Sequence, residues 1–418
     1  MQRCALILTA VVSLASALQA EEPLRFAPEP IELEAVENGG GWTLWSGVAN
    51  LEGSVSYRER STSLHIAPDE SVWVGTSHGR ILRYADGEWT LVGRLDGVQV
   101  TGIAAQDDDI VWLSTGDGMC RLRRPEEEDA GTETDWLCDR FRHYYQGHPG
   151  FVSGGYIPGE DAVRLWGHVE GVYMPRHVTT YAPFVVSVEH GLFTWGGYGR
   201  VWHHFLPHYW GANSDWLDTR ELVPHRRPTC IEEDADRHLW IGTQGDGIVR
   251  MNAHARRFHE REPEENDKDG REFSTFGPAE LGVDFVRVND ISTGLEGDVW
   301  AALVGTDDRR YVARFDGEDW SHVELPQIKR HSIRNGKVVK RWWWEATPLS
   351  MAEIEPGRVL VGVENAVWPA GLFELDWKAK EFRTVKAVEH PVRTIARTEN
   401  GNVWAQTWWG VYRRESTE

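Results

Sequence analysis

An all-β fold built from repeats is predicted by three features: a recurring phrase, short apolar segments separated by turn signals, and two complementary chain ends. The clearest copies of the phrase are Val72–Thr76 followed by residues 79–84, and Leu239–Thr243 followed by residues 247–251. Each copy reads as an apolar strand, a turn containing glycine and a second strand. One β unit in every few tens of residues is typical of a propeller or a solenoid.

The phrase occurs eight times, each time with one anchor residue at its centre. The anchors are Trp73, Trp112, Trp166, Phe193, Trp240, Trp300, Val361 and Trp404. A short apolar strand precedes each anchor, and a turn and a fourth strand follow the phrase. Four short strands joined by turns make one propeller blade. We therefore predict eight blades, or seven if one of the closely spaced anchors Trp166 and Phe193 is an embellishment.

The two ends of the chain complement each other. The last copy stops after its third strand, at residues 410–413, whereas residues 41–45 repeat the pattern of the fourth strand at 88–92. Pairing of these ends would close the ring and remove a sheet edge. We predict one propeller domain over residues 41–415, preceded by a linker over residues 21–40.

The first twenty residues have the composition of a secretory signal peptide. Arg3 carries the only charge, an apolar run follows, and small residues precede cleavage points at Ala17 and Ala20. The run is too short for a membrane span, and no later stretch is apolar for long enough. We expect a periplasmic or secreted protein without membrane insertion.

The net charge and the cysteines restrict the partners and the cross-links. A formal net charge of −21 repels phosphate, so we expect no nucleic-acid partner. Cys120 and Cys138 lie on successive antiparallel strands, and cross-strand neighbours come within disulfide reach in an oxidising compartment. We predict a Cys120–Cys138 disulfide.

The phrase Leu/Val-Trp-x-Gly-Thr, a turn, then Gly-hydrophobic-x-Arg resembles the two-component regulator propeller repeat of bacterial periplasmic sensors. The resemblance covers roughly residues 40–415. It implies a β-propeller that acts as a binding module outside the membrane, and its signature has no catalytic residues. Such propellers are often joined to a kinase inside the cell, which this sequence does not show. A sensor of this kind would pass its signal to a partner, such as a membrane-bound signalling protein.

The turns between second and third strands open on one face of a propeller, where ligands usually bind. Polar, acidic and aromatic side chains there suit a hydroxyl-rich ligand, although solvated turns would have the same composition. We predict ligand-binding residues at His78, His168, Tyr198, Asp246, Trp408 and Trp409.

One segment has the opposite charge to the rest of the chain. Residues 329–344 contain six Lys or Arg and no acid, and Asn335-Gly336 at their centre is a strong hairpin signal. We predict an extra β-hairpin near Trp408 and Trp409. It would bind an anionic glycan or an acidic partner, unless it lies back on the acidic surface of the protein itself. Its predicted ligand-binding residues are Lys337, Lys340, Arg341 and Trp343.

Three functions fit this sequence. The first is a non-catalytic ligand-binding or sensor-type propeller that recognises a carbohydrate or a partner protein. The second is a polysaccharide lyase for uronic-acid polymers, with His78, His168 or Tyr198 as base and Arg226, Arg227 or Lys340 neutralising the carboxylate. The third is an assembly scaffold. No motif for a metal, a cofactor or a nucleophile is present in a fitting context, so we expect neither metal nor cofactor.

Overall fold

The computed structural model covers most of the repeats. It describes residues 22–46, 59–125, 136–145, 150–152, 155–157, 163–165, 168–175, 181–187, 191–196, 201–204, 228–245, 247–251, 273–306, 309–334, 337–364, 371–388 and 390–416. Within these residues, no helix has the length and apolar character needed to cross a bilayer.

The described residues form strands, with one short helix, α1 (Pro278–Leu281). The first strands are β1 (Leu24–Phe26), β2 (Glu29–Ile31), β3 (Glu34–Glu37), β4 (Trp42–Ser46), β5 (Ser61–Ile66), β6 (Val72–Thr76), β7 (Arg80–Ala85), β8 (Glu88–Arg94), β9 (Val100–Ala105), β10 (Ile110–Thr115), β11 (Gly118–Arg123) and β12 (Trp136–Phe141). The middle strands are β13 (His143–Tyr145), β14 (Gly150–Val152), β15 (Gly155–Ile157), β16 (Val163–Leu165), β17 (Gly171–Tyr173), β18 (Tyr181–Ser187), β19 (Gly191–Gly196), β20 (Val201–His204), β21 (Pro228–Glu233), β22 (Leu239–Thr243), β23 (Ile248–Met251) and β24 (Phe273–Phe276). The last strands are β25 (Phe285–Thr293), β26 (Val299–Gly305), β27 (Arg310–Phe315), β28 (Trp320–Glu324), β29 (Gln327–Arg334), β30 (Lys337–Glu345), β31 (Thr347–Glu355), β32 (Arg358–Glu364), β33 (Leu372–Asp376), β34 (Glu381–Thr384), β35 (Val392–Arg397), β36 (Val403–Thr407) and β37 (Gly410–Arg414).

Consecutive strands associate into successive sheets. Among the described residues, seven sheets have four or more strands. Sheet 1 contains β5–β8, sheet 2 β9–β12, sheet 3 β17–β20 with β13 and β16, sheet 4 β21–β24, sheet 5 β25–β28, sheet 6 β31–β34, and sheet 7 β35–β37 with β4. The predicted all-β class is therefore confirmed. In each sheet four strands pair antiparallel, as in a propeller blade, and in sheet 3 the strand β13 is added parallel to β20.

The first strand of each sheet contacts the first strand of the next. The contacts run from β5 to β9, β17, β21, β25, β31 and β35, and β35 in turn contacts β5. Side chains of these strands donate hydrogen bonds across the gap, as from Thr62 Oγ1 to the Val100 carbonyl at 2.5 Å. Gln406 Nε2 of sheet 7 donates to the Ser61 carbonyl of sheet 1 at 2.6 Å. These bonds satisfy polar groups that the close approach of the strands removes from water.

The strand beside the Trp166 anchor does not begin a sheet of its own. β16, which ends at Leu165, is the outer strand of sheet 3 and pairs with β13. The same sheet contains the Phe193 anchor in β19. Trp166 itself is outside the described residues, but the strand that directly precedes it belongs to the same sheet as the Phe193 anchor.

The N-terminal segment runs along the outer edges of three sheets. β1 pairs with β12 of sheet 2, β2 with β8 of sheet 1, and β3 with β4 of sheet 7. The predicted linker over residues 21–40 thus contains three strands. Outer-edge strands of three or four residues bury little surface, so they lack the apolar alternation by which sequence indicates a strand. The predicted pairing of the two ends is present, because Trp42 to Ser46 pair with Arg414 to Gly410.

Contacts between buried tryptophans and half-buried arginines explain the spacing that recurs within the phrase. Trp240 and Trp300 are 1% and 0% exposed, so these anchors pack inside the fold. The arginine of the third strand is the direct cross-strand neighbour of the tryptophan, as in Trp300 and Arg314. Its guanidinium carbon lies 5.5 Å from the Trp300 ring centroid, which is a cation–π contact. The same contact recurs between Arg83 and Trp73, Arg121 and Trp112, Arg250 and Trp240, and Arg413 and Trp404.

Cys120 and Cys138 are both buried, and each has a free thiol in the structure. Cys120 lies opposite Arg140 and Cys138 opposite Leu122, so the two cysteines are diagonal rather than direct neighbours on β11 and β12. A hydrogen bond with Cys120, together with burial, raises the pKa of the Cys138 thiol. The thiols are in contact, and their oxidation to a disulfide stays a prediction.

Asp290 makes the stability of the contact between sheets 5 and 6 depend on pH. Its Oδ2 accepts the Met351 N–H at 2.8 Å, and burial raises the pKa of Asp290 to about 7. The folded state therefore binds more protons than the unfolded state between about pH 4 and 7, so the stability from this group falls as pH rises through that window. We expect Asp290→Asn to remove a slope of up to about 1.4 kcal/mol per pH unit. Denaturant titrations across the window measure it, and equal slopes in both proteins would contradict the assignment.

Candidate ligand-binding site on the turn face

The turns between second and third strands lie beside the residues that enter the first strands. The Ser77 N–H donates to the Arg60 carbonyl at 2.8 Å, and the Gly116 N–H donates to the Gln99 carbonyl at 2.9 Å. The Ser61 N–H donates to the Trp408 carbonyl at 3.3 Å. These two kinds of segment together form one surface, which we call the turn face.

Trp408 is the centre of a cationic and aromatic cluster on this face. The guanidinium carbons of Arg60 and Arg393 lie 4.4 Å and 5.4 Å from its ring centroid. Arg60 is exposed and Trp408 is half-buried. We call these three residues, with the adjacent Glu364, the Trp408 junction. It brings together sheets 6, 7 and 1.

Hydrogen bonds hold the Arg60 side of the junction in place. The Arg60 N–H donates to Ser77 Oγ at 2.9 Å. Directly before Arg60, the buried Glu59 pairs with Arg80 at 3.0 Å and accepts a hydrogen bond from Thr76. Removing one partner of a buried ion pair costs several kcal/mol, so this pair keeps the entry to β5 and the turn at 77–79 in a fixed position.

The electrostatics of the junction favour an anion. Arg393 is 3.7 Å from Glu364, and both side chains are more than a third exposed, so the pair contributes little. No acidic group among the described residues lies within ion-pair distance of Arg60. Two guanidinium groups on one ring can donate several hydrogen bonds to a carboxylate, and the edge of the ring adds apolar contact.

Trp409 belongs to a different cluster from its neighbour Trp408. Its ring centroid lies 6.4 Å from that of His390, whose Nδ1 is 2.9 Å from the hydroxyl of the buried Tyr412. Trp409 therefore packs with sheet 7, and only Trp408 of the predicted pair contacts the junction arginines.

The two predicted histidines lie at different places on the turn face. His78 is half-buried in the turn at 77–79, next to the Ser77 that binds Arg60. His168 is exposed, and the following residue, Val169, donates its N–H to the Thr115 carbonyl of sheet 2 at 3.1 Å. His78 thus adjoins the Trp408 junction, whereas His168 lies between sheets 2 and 3. The predicted residues Tyr198, Asp246, Arg226 and Arg227 are outside the described residues.

The predicted basic hairpin exists. β29 and β30 pair so that Arg334 lies opposite Lys337, with only Asn335 and Gly336 between them. The two strands form a separate sheet, and in the sequence they lie between sheets 5 and 6. The side chains of Lys337, Lys340, Arg341 and Trp343 are outside the described residues, so their predicted roles stay predictions.

Sequence analysis missed Arg60 and Arg393, the two cations of the junction. Arg60 directly precedes the first strand of sheet 1 (Ser61–Ile66), and Arg393 is the second residue of the first strand of sheet 7 (Val392–Arg397). In a propeller, the connections into the first strands open on the same face as the turns between second and third strands. A search of these connections and of the strand residues next to them would have indicated both arginines. No group of three or more His, Cys, Asp or Glu suited to a metal occurs in the part of the chain that the structure describes.

Comparisons with known proteins identify the fold rather than a family. No family model matches the chain, and no curated protein matches it in sequence. The extracellular domain of a protein described as a one-component system, from B. thetaiotaomicron, is 14% identical with a TM-score of 0.52. That likeness covers 94% of this chain and 40% of that one. Streptogramin B lyase is 10% identical with a TM-score of 0.50, over 94% of this chain and 98% of that chain. Identities this low show a shared fold alone.

Proposed function

We propose that this protein is a non-catalytic, extracytoplasmic ligand-binding β-propeller of the sensor type, and that it recognises acidic carbohydrate through the Trp408 junction. The observation that carries the proposal is the pair of guanidinium groups at 4.4 Å and 5.4 Å from one half-buried tryptophan ring. A uronic acid offers a carboxylate to the arginines and C–H groups to the ring.

The proposed scaffold is a closed ring of seven blades. Its support is the succession of contacts between first strands, which returns from β35 to β5, and the pairing of β4 with β37. Trp45 of β4 stacks on Trp404 of β36 at 5.4 Å, so the N-terminal strand also packs into the last blade. A ring of this kind leaves few sheet edges exposed and fixes the turns on a rigid face.

The negative net charge of the protein distinguishes the Trp408 junction from the rest of the surface as a place for an anion. A net charge of −21 repels anions over most of the surface, so an acidic ligand binds only where local cations outweigh that field. Arg60 and Arg393 provide such a place next to an aromatic ring. We also propose that the basic hairpin binds the acidic ligand and extends the site. Its contributing residues are Lys337, Lys340, Arg341 and Trp343.

A role in signalling is part of the proposal. The similar domain from B. thetaiotaomicron is the extracellular part of a signalling protein, and this chain spans less than half of its length. We propose that the protein acts in the periplasm or outside the cell after removal of residues 1–20, belongs to the two-component regulator propeller repeats, and reports its ligand to a membrane-bound partner.

Size-exclusion chromatography with polysaccharides tests the function. The protein is incubated with a polyuronate and, separately, with a neutral glucan, and the size of each polymer is followed. We expect intact polyuronate to co-elute with the protein and the neutral glucan to elute alone. Shortened polyuronate would establish the lyase alternative, with His78 and His168 as bases to mutate. Failure of both polymers to bind would overturn the carbohydrate proposal and favour a protein ligand.

A further inference from the structure

A cavity lies on the turn face, between sheets 1 and 2 and away from the Trp408 junction. Its volume is about 340 Å³, at the lower end of the range for small-molecule pockets. The connection 95–98 from β8 to β9 forms one wall, the turn at 115–117 the second, and β1 closes the outer side. A space of this size accommodates a molecule like a monosaccharide, not a polymer chain.

Hydrogen bonds fix the walls of the cavity. The Leu95 N–H donates to the Gly79 carbonyl at 2.9 Å, and the Val98 N–H donates to the Leu95 carbonyl at 3.1 Å. Phe26 of β1 packs so closely on Gly93 that a Cβ at that glycine would lie 2.3 Å from the ring. Main-chain hydrogen bonds and the packing of β1 against sheet 1 therefore fix the shape of the cavity.

Arginine dominates the charged groups of the cavity. Its lining includes Arg25, Arg94, Arg140 and Arg142, against Asp96 and Asp117. Arg142 pairs with Asp117, and Arg94 with Asp96, each at 3.2 Å and each with more than 40% of both side chains exposed. Such exposed pairs are weak and exchange readily with a ligand carboxylate. Burial and the nearby charge of Arg142 lower the pKa of Arg140, as expected for cations held close together.

The uncharged lining is mostly apolar, with Thr115 as its polar member and Cys120 beside it. Leu24, Phe26, Leu95 and Val98 contribute to the walls beside the arginines. An arginine cluster beside apolar walls suits a compact molecule with a carboxylate at one end and a C–H surface at the other. We propose that this cavity binds a small organic carboxylate of monosaccharide size, such as a free uronic acid, independently of the Trp408 junction.

Calorimetric titration with D-glucuronate, D-glucose and inorganic phosphate tests the proposal. We expect saturable binding of glucuronate, no binding of glucose, and weaker binding of phosphate, because phosphate has no apolar part. The double variant Arg140→Gln/Arg142→Gln should weaken glucuronate binding at least about tenfold, because it removes charged hydrogen-bond donors to the carboxylate. The single variant Arg142→Gln changes only an exposed side chain, so the protein should fold normally. It should also weaken glucuronate binding, by less than the double variant.

Two control variants separate this site from others. Arg383→Gln removes an exposed arginine of sheet 6 that does not line the cavity, and it should leave affinity unchanged. To remove the contribution of the Trp408 junction, the cavity variants are also compared in an Arg60→Ala background, in which glucuronate should still bind and the cavity variants should still weaken its binding. The proposal is overturned if glucuronate does not bind, if phosphate binds equally well, or if both cavity variants bind like the wild type. Loss of glucuronate binding in Arg60→Ala alone would assign the ligand to the junction instead.

Discussion

Replacement of Trp404 by alanine should lower the free energy of unfolding by about 3–5 kcal/mol, the cost of truncating a large buried aromatic side chain. Trp404 is 2% exposed and its ring stacks on Trp45 at 5.4 Å. It also contacts Tyr84 at 5.1 Å and Trp89 at 6.3 Å. One side chain therefore joins the N-terminal strand, the last sheet and the first sheet, so its loss weakens the place where the two chain ends meet.

Denaturant unfolding followed by far-ultraviolet circular dichroism measures this change. Leu295→Ala is the matched control, because Leu295 is 45% exposed and its truncation should change stability by less than about 0.5 kcal/mol. A loss below about 1 kcal/mol for Trp404→Ala would show that the ends of the chain do not rely on this cluster.

A glycine-to-alanine pair separates backbone strain from steric clash. Gly79 has φ +83°, and a Cβ there would lie 1.9 Å from the Leu95 carbonyl oxygen. Gly87 has φ +88°, but a Cβ there meets nothing within 4 Å. Gly87→Ala should cost about 1–2 kcal/mol for the left-handed backbone alone. Gly79→Ala should cost about 1–3 kcal/mol more, because the clash is with main chain that cannot rotate away.

The Gly79 variant also has a functional consequence. The clash pushes away the connection 95–98, which forms a wall of the arginine-lined cavity. Glucuronate affinity should therefore fall in Gly79→Ala and stay at the wild-type level in Gly87→Ala. Equal stabilities of the two variants would show that the connection moves freely, which contradicts the fixed wall.

The repeat could be predicted because the same chemistry recurs at each blade. A buried tryptophan, a glycine with close neighbours and an arginine across the strand pair are local requirements, and they leave a pattern such as Leu239–Thr243 in sequence. A Cβ at Gly242, for example, would lie 2.4 Å from the Cys230 sulfur. The pairing of β4 with β37 was also predictable, because both ends retain the pattern of one blade.

Features that depend on contacts between blades were not predictable. The strands β1 to β3 bury little surface, and β1 and β2 pair with strands that are far away in sequence, so their own residues show no strand pattern. Arg60 and Arg393 contact the same ring only because sheets 7 and 1 are adjacent at Trp408. The cavity arginines come from three separate strands and their flanks, and no spacing in the sequence relates Arg94 to Arg142.

Calorimetric titration of a uronate oligosaccharide into the wild type and into Arg60→Ala/Arg393→Ala tests the central claim most directly. Arg383→Ala serves as the matched arginine control. The Trp408 junction predicts an affinity at least about tenfold lower in the double variant, because two charged hydrogen-bond donors are lost. It predicts no change in the control. Wild-type affinity in the double variant would contradict the assignment of carbohydrate binding to this junction.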